Sequence, residues 1–340
     1  MADTTTTALG LTKPQIGASE NTWGEKINTN MDLIDAVLDD YPTTGSLSNR
    51  NVIINGGMNV KQRDNRAAAT FSSRFYAGPD RWLVNRSGTG STGFSQIAST
   101  AYGGTKAAEA TFLAADGELY VVTQRIEAAN VAHLAGQTVT LSFWASGSSD
   151  VGSSLLNAVL SYATVADNFA SETTISTNAI SYSGTAAYYT FTFTLPANAA
   201  NGVAVKIEGA KTGGTGTFTL KFGGVQLEAG TVATPFEHRS YGQDLAACQR
   251  YYYKMTYSEG GGIGNKYRGA TLTNVFSSAI CFPTEMRVTP TFTQITAPTI
   301  YGSTEGTHSI AARGINLRVN CVGGGSYRMY SGLFSVDSEL

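Results

Sequence analysis

The chain has 340 residues, a formal net charge of −2 and only 14% charged residues, with 38 glycines. This balance leaves no basic footprint of the kind that nucleic acid demands, and no apolar run reaches the roughly 18 residues needed to insert in a membrane. Low charge with abundant Gly, Ser and Thr suits many strands joined by tight turns, and about 150 residues per domain predicts two or three domains.

The N-terminus has neither the basic nor the apolar region of a secretory leader, so export by that route is not expected. Met1 to Leu9 is polar and Thr-rich, and only a partner surface would repay the entropy of ordering it. Leu11 to Gly17 reads as an extended arm with Pro14 and Gly17 as punctuation. Thr22-Trp23-Gly24-Glu25 then fits a capping box that opens a helix running to about Asp40. Ile27, Met31, Ile34 and Leu38 recur at spacings of four, three and four, the seam of a short coiled coil, with Leu33 and Val37 widening the stripe. A helix this short is marginal alone in water, and Asp39 and Asp40 oppose its dipole. Copies of the chain, another protein or the chain's own next domain must therefore hold it.

Pro42 to Asn51 is polar and reads as a linker. Beyond it the apolar period switches to two. Val139, Leu141 and Phe143 alternate with threonine and serine; so do Tyr189, Phe191, Phe193 and Leu195, and Phe218, Leu220 and Phe222. Further strands are predicted at 51–54, 81–84, 119–126, 203–207 and 225–228. Many strands in one span indicate a jelly-roll sandwich over residues 51–239. A helical turn is predicted from Gly242 to about Tyr252, and the remainder returns to β at 272–276, 279–282, 292–295, 315–321 and 329–334, a second and smaller sandwich. The fold class is therefore all-β, two sandwiches preceded by an extended arm and a coiled-coil helix. No sequence repeat marks a solenoid or a fibre shaft.

Motifs that invite chemistry have plainer readings. Gly88 to Gly93 matches G-x-G-x-x-G, but Phe94 to Thr100 is not a helix, so no helix N-terminus is available for a pyrophosphate and the stretch reads as a surface loop. His133, His238 and His308 are far apart and unsuited to a shared metal, and no G-x-S-x-G elbow is present. Cys248, Cys281 and Cys321 have no metal-knuckle or redox spacing and are expected to be small buried hydrophobes. Glycan cleavage needs only two carboxylates, for which Asp80, Asp116, Glu118, Glu127, Glu228 and Glu237 are available, but nothing pairs any two, and solvated or turn-capping roles are expected. Trp82 and Trp144 are expected in the core, although alternation beside Phe143 offers Trp144 the opposite face of its strand. Tyr251-Tyr252-Tyr253 suits an interface between domains or chains.

Three blocks carry a resemblance. Thr12 to Gly17, Asn21 to Gly24 and the helix with Asn28, Asn30, Met31, Leu33, Ile34 and Asp35 resemble the N-terminal attachment segment of phage tail-fibre proteins. Ile53 to Val60, Gly78 to Trp82, Gln124 to Glu127, Leu134 to Ala145, Val225 to Gly230 and Ala233 to Glu237 are similar to the jelly-roll, carbohydrate-binding-module-like domain of such proteins. Cys248 to Lys254 and Phe282 to Thr291 resemble the sandwich that follows it.

The resemblance implies residues 1–41 as a virion-attachment arm and trimerising helix, 42–50 as a linker, 51–239 as the carbohydrate-binding-module-like jelly roll and 240–340 as the C-terminal β-sandwich. It implies attachment to the phage tail or other virion proteins through Pro14, Ile16 and Trp23, a homotrimer along the Ile27, Met31, Ile34 and Leu38 seam, and binding of host cell-surface polysaccharide or lipopolysaccharide. It assigns no glycan-binding residue, because the matching motifs are framework. The protein is then a non-enzymatic virion component, made in the host cytoplasm, with no cofactor; a jelly roll can hold a structural calcium ion, but no residue here indicates one. The alternatives are a virion assembly element, such as a head fibre or fibre adaptor, and a glycan depolymerase.

Overall fold

The computed structural model describes residues 4–6, 11–13, 21–39, 49–70, 74–88, 90–114, 118–149, 153–212, 215–257, 275–296, 299–301, 303–305, 308–321, 328–330 and 332–340. Pro14, Ile16 and Asp116 lie outside them, as do the side chains of Leu38 and Cys321. Short strands β1 (Thr4–Thr5) and β2 (Thr12–Lys13) pair antiparallel ahead of α1 (Trp23–Asp39). Asn30 ties this hairpin to the helix: its Nδ2 donates to the Thr12 carbonyl at 2.9 Å, and its Oδ1 accepts the Thr12 N–H at 2.8 Å. The apolar stripe of α1 is left open by the described residues of the chain, with Ile27 46% and Met31 60% exposed and Ile34 half-buried.

Two six-stranded antiparallel sheets face each other across the main core. In chain order their strands are β3 (Arg66–Thr70), β4 (Phe75–Tyr76), β5 (Leu83–Arg86), β6 (Ser91–Ala98), β7 (Lys106–Ala114), β8 (Leu119–Ile126), β9 (Thr138–Ser149), β10 (Ser153–Val165), β11 (Asn168–Ala179), β12 (Ala187–Thr194), β13 (Val203–Thr212) and β14 (Gly216–Ala229). One sheet runs β11-β10-β13-β8-β5-β4 and the other β12-β9-β14-β7-β6-β3. A one-turn helix, α2 (Ala128–Val131), follows β8. Val139, Leu141 and Phe143 from one sheet meet Tyr120, Val122, Val205 and Ile207 from the other. Stacked rings run across the core, Phe112 on Tyr120 at 4.8 Å and Tyr120 on Phe218 at 4.9 Å. Each such buried side chain contributes about 1.5–3 kcal/mol.

Two predicted strands, 217–222 and 225–228, are one. β14 carries a bulge opposite Trp144 and Ser142, where the register shifts between Gly223 and Gln226. The extra residue flips the parity, so Phe218, Leu220 and Phe222 point inward before it and Val225 and Leu227 after it. Gly224, at φ 58°, supplies the left-handed backbone this needs.

The strand expected at 51–54 is a turn instead. Side-chain amides replace a ladder partner there. Asn51 Oδ1 accepts the Ile53 and Leu227 N–H groups at 3.0 and 3.1 Å, and Gln124 satisfies both the N–H and the carbonyl of Ile54 at 2.8 Å. The apolar pattern of Val52-Ile53-Ile54 is thus met by burial without strand pairing.

α3 (Tyr241–Gln249) opens on a capping box of Ser240 and Gln243 and stops before the three tyrosines. Tyr252 opens β15 (Tyr252–Tyr257), so the helix expected to reach Tyr252 is shorter by three residues. β16 (Val275–Cys281), β17 (Thr291–Thr296), β18 (Thr299–Tyr301), β19 (Ser303–Glu305), β20 (Ser309–Ala311), β21 (Gly314–Cys321), β22 (Arg328–Tyr330) and β23 (Gly332–Asp337) complete the chain. A β15-β23-β17 sheet and a β16-β21-β19 sheet with β20 against β21 enclose a second core of Met255, Phe282, Met286, Ile315, Phe334 and Val336. Cys248 is buried as expected, whereas Cys281, at the end of β16, is exposed.

Candidate functional site

The two sandwiches meet in a buried polar junction, and the family-like blocks converge on it. Arg81, at φ 76°, lies over the Tyr251 ring at 3.4 Å, donates from Nη2 to the Arg125 carbonyl at 2.6 Å and pairs with Glu339. Arg63 lies over Tyr252 at 3.6 Å and pairs with Asp337 at 3.0 Å and Glu339 at 3.2 Å. Tyr253 packs edge-on against Phe282 in the second core. The tyrosine run is therefore an interface between domains of one chain. Burial pushes the Tyr251 phenol up to about 12 and the Cys248 thiol well above its ordinary range.

Of the solvated or turn-capping roles expected of the carboxylates, the junction overturns the solvated one for Asp80 and Glu127. Asp80 is buried, accepting from the Gln62 backbone N–H at 3.2 Å and from Gln62 Nε2 at 2.8 Å; burial raises its pKa against the pull of Arg63. Glu127 is buried and bidentate with Arg250 at 2.8 and 3.2 Å; burial pushes it up, but the Arg250 bonds and charge outweigh that and hold it below the usual carboxylate value. Glu228 spends both oxygens on Thr234 and Gln226, and Glu237 caps the Asn49 and Asn51 N–H groups. Glu118 lies beside Arg86 at 3.8 Å. Among the described residues no three His, Cys, Asp or Glu side chains cluster as metal ligands.

The exposed surface offers a different arrangement. Trp82 fills the core, edge-on to Phe222 at 5.1 Å. Trp144 does not: it lies half-buried on the outer face of the β12-β9-β14 sheet, because strand alternation sends it opposite Phe143. Its cross-strand partner is Tyr188, 43% exposed, with ring centroids 5.2 Å apart at 45°. Two glycines seat the indole. A Cβ at Gly103 would stand 3.0 Å from Trp144 Cδ1, and one at Gly224 3.4 Å. The β14 bulge thus both restores the core alternation and makes room for this ring. One step along the same face, Lys221 pairs with Glu109 at 3.2 Å, and Tyr102 shares a 2.7 Å hydrogen bond with Ser146. The sequence reading did not single out Tyr188. Its signal was there, since Tyr189 belongs to the inward alternation and its neighbour must face out.

Of the residues predicted to serve attachment, Trp23 stands exposed at the first position of α1. Ile27, Met31 and Ile34 share one helix with it.

No family model and no curated protein sequence matches the chain. Solved structures do. A carbohydrate-binding module of the β-sandwich superfamily, studied for promiscuous specificity, is similar over 44% of this chain and 57% of its own, at 11% identity and a TM-score of 0.35. A family 61 carbohydrate-binding module in complex with β-1,4-galactotriose matches over 53% of this chain and 99% of its own, at 12% identity and a TM-score of 0.32. The enzymatically active domain of tailspike protein 4 of bacteriophage CBA120 matches over 56% of this chain and 24% of its own, at 15% identity and a TM-score of 0.34. The chain spans under two thirds of the first and of the tailspike domain.

Proposed function

We propose that this protein is an adhesive structural component of a phage virion whose large sandwich binds host cell-surface polysaccharide or lipopolysaccharide. The observation that carries the reading is the Trp144–Tyr188 pair, an aromatic platform set on an open sheet face beside Lys221 and Glu109. The C–H face of a sugar ring packs on such a surface, while flanking polar groups take its hydroxyls. Binding rather than cleavage is favoured because Asp80, Glu127 and Glu228 already hold structural partners. The test is cell or glycan-array binding by a Trp144→Ala/Tyr188→Ala variant with an unchanged melting curve. A loss of at least about tenfold, or about 1.4 kcal/mol, is expected; unaltered binding would remove the platform from the proposal.

The same proposal includes a homotrimer anchored to the tail through the N-terminal segment. The support is the open α1 stripe, together with the resemblance of this segment to fibre attachment arms. Three weak sites on one particle add avidity without any single strong contact. Ile27→Glu/Met31→Glu is expected to convert a trimer to monomer in mass photometry of the full chain. A wild-type monomer would sink the oligomer. A trimer silent on glycan arrays would favour the assembly-element alternative.

A further inference from the structure

A concavity that shares no lining residue with the aromatic face lies between the sandwich and α3. Its volume is about 410 Å³, within the range of small-ligand sites. Asn130, His133 and Gln243 stand on its rim with Arg239 and Arg250. Val52, Ile54 and Ala247 supply apolar lining.

The walls are fixed before any ligand arrives. Asn51 commits its side chain to the Val225 carbonyl and the Ile53 and Leu227 N–H groups. Arg239 reaches across to the Asn51 and Ile53 carbonyls. Gln243 Oε1 is held by the Ser240 N–H and hydroxyl at 3.0 and 2.9 Å, so its amide plane is set and its Nε2 donors are unspent among the described residues. Asn130 Nδ2 donates to Glu127 at 3.4 Å, which leaves Oδ1 as an acceptor. The exposed His133 ring adds one donor and one acceptor in its neutral form. Donors and acceptors thus share the wall with an apolar lining.

Charge narrows the ligand. Each guanidinium has its own carboxylate, Arg250 with Glu127 at 2.8 Å and Arg239 with Glu237 at 3.6 Å. Neither lining cation is unopposed by a carboxylate, so the wall carries no unbalanced positive charge to favour an anion. Vicinal hydroxyls, each both donor and acceptor, match the rim, and ring C–H groups match Val52, Ile54 and Ala247. We infer that this pocket is a binding site for a neutral sugar ring, separate from the Trp144 face and not dependent on it.

The test uses the full chain, with glucose, galactose, mannose and N-acetylglucosamine as neutral probes and glucuronate and N-acetylneuraminate as acidic ones. Saturation-transfer NMR would compare wild type, Trp144→Ala/Tyr188→Ala and His133→Ala/Gln243→Ala, each with its melting curve. The inference requires a neutral probe that still binds Trp144→Ala/Tyr188→Ala and weakens at least tenfold in His133→Ala/Gln243→Ala. It is overturned if no neutral probe binds Trp144→Ala/Tyr188→Ala, if the pocket variant binds as wild type does, or if the acidic probes are preferred. Loss of binding only in the aromatic variant would leave the proposed adhesive function standing and remove this site.

Discussion

Replacing Arg81 with alanine should lower stability by about 3–5 kcal/mol, the range seen when one partner of a buried ion pair is removed. Three interactions go at once: the stack on Tyr251, the hydrogen bond to the Arg125 carbonyl and the pair with Glu339. Glu339 keeps Arg63 at 3.2 Å, which places the expected loss near the lower end. At roughly 2–4 °C per kcal/mol for a domain of this size, calorimetry should record a fall of about 6–12 °C. Arg81→Lys should recover less than half of it, because lysine retains the charge but has neither the planar face nor the fork. The exposed Arg313–Glu285 pair, at 2.9 Å, is the control. Arg313→Ala should change stability by less than about 1 kcal/mol. Equal effects at the two arginines would mean that the junction does not couple the domains.

Gly56→Ala should be nearly as damaging, for a steric reason. A Cβ at Gly56 would sit 2.1 Å from the Val225 carbonyl oxygen, a backbone atom with no rotamer to escape into. That oxygen accepts from Asn51 Nδ2 at 3.0 Å, and the Val225 N–H donates to the Gly56 carbonyl at 3.1 Å. Moving this turn away from β14 would cost overpacking strain of about 1–3 kcal/mol and about 1 kcal/mol for each of these hydrogen bonds. Gly242 lies in α3 with nothing within 4 Å of a Cβ built there. Gly242→Ala should stabilise by up to about 1 kcal/mol through helix propensity. Denaturant unfolding of the pair tests this, and a stable Gly56→Ala protein would show that β14 can move away from the Asn55–Gly57 turn.

Legibility along the chain followed side-chain size. β9, β12 and the first half of β14 were readable because large apolar residues alternate with threonine and serine. β8, expected at 119–126, has those same bounds, Leu119–Ile126. β7 escaped notice because two of its inward positions are Ala108 and Ala110, residues too small to announce burial although both are fully covered. β10 and β11 form a long hairpin in which most of β11 is exposed or half-buried Ser, Thr and Asn. An edge strand with two polar faces leaves little periodic signal.

The polar elements were harder to read than the apolar ones. Asp80, Glu127 and Glu228 look in sequence like any surface carboxylate. Only the folded chain brings Arg250 to Glu127, or Arg63 to Asp80. Similarly, Trp144 and Tyr188 lie more than forty residues apart, and it is the β9–β12 pairing that makes them one platform. The sugar-sized pocket draws on Asn130, His133 and Gln243 from α2, the turn after it and α3, and carries no local motif at all.

Composition and period were enough to establish an all-β chain, a helix near residues 23–39 with one apolar stripe, and most of the strands that carry large inward residues, because alternation is a local property written residue by residue. The junction, the bulge that redirects β14, the buried carboxylates and both candidate binding surfaces came from long-range packing. Each depends on which distant partner a residue meets, and a single residue's chemistry does not specify that partner until the sheets have paired.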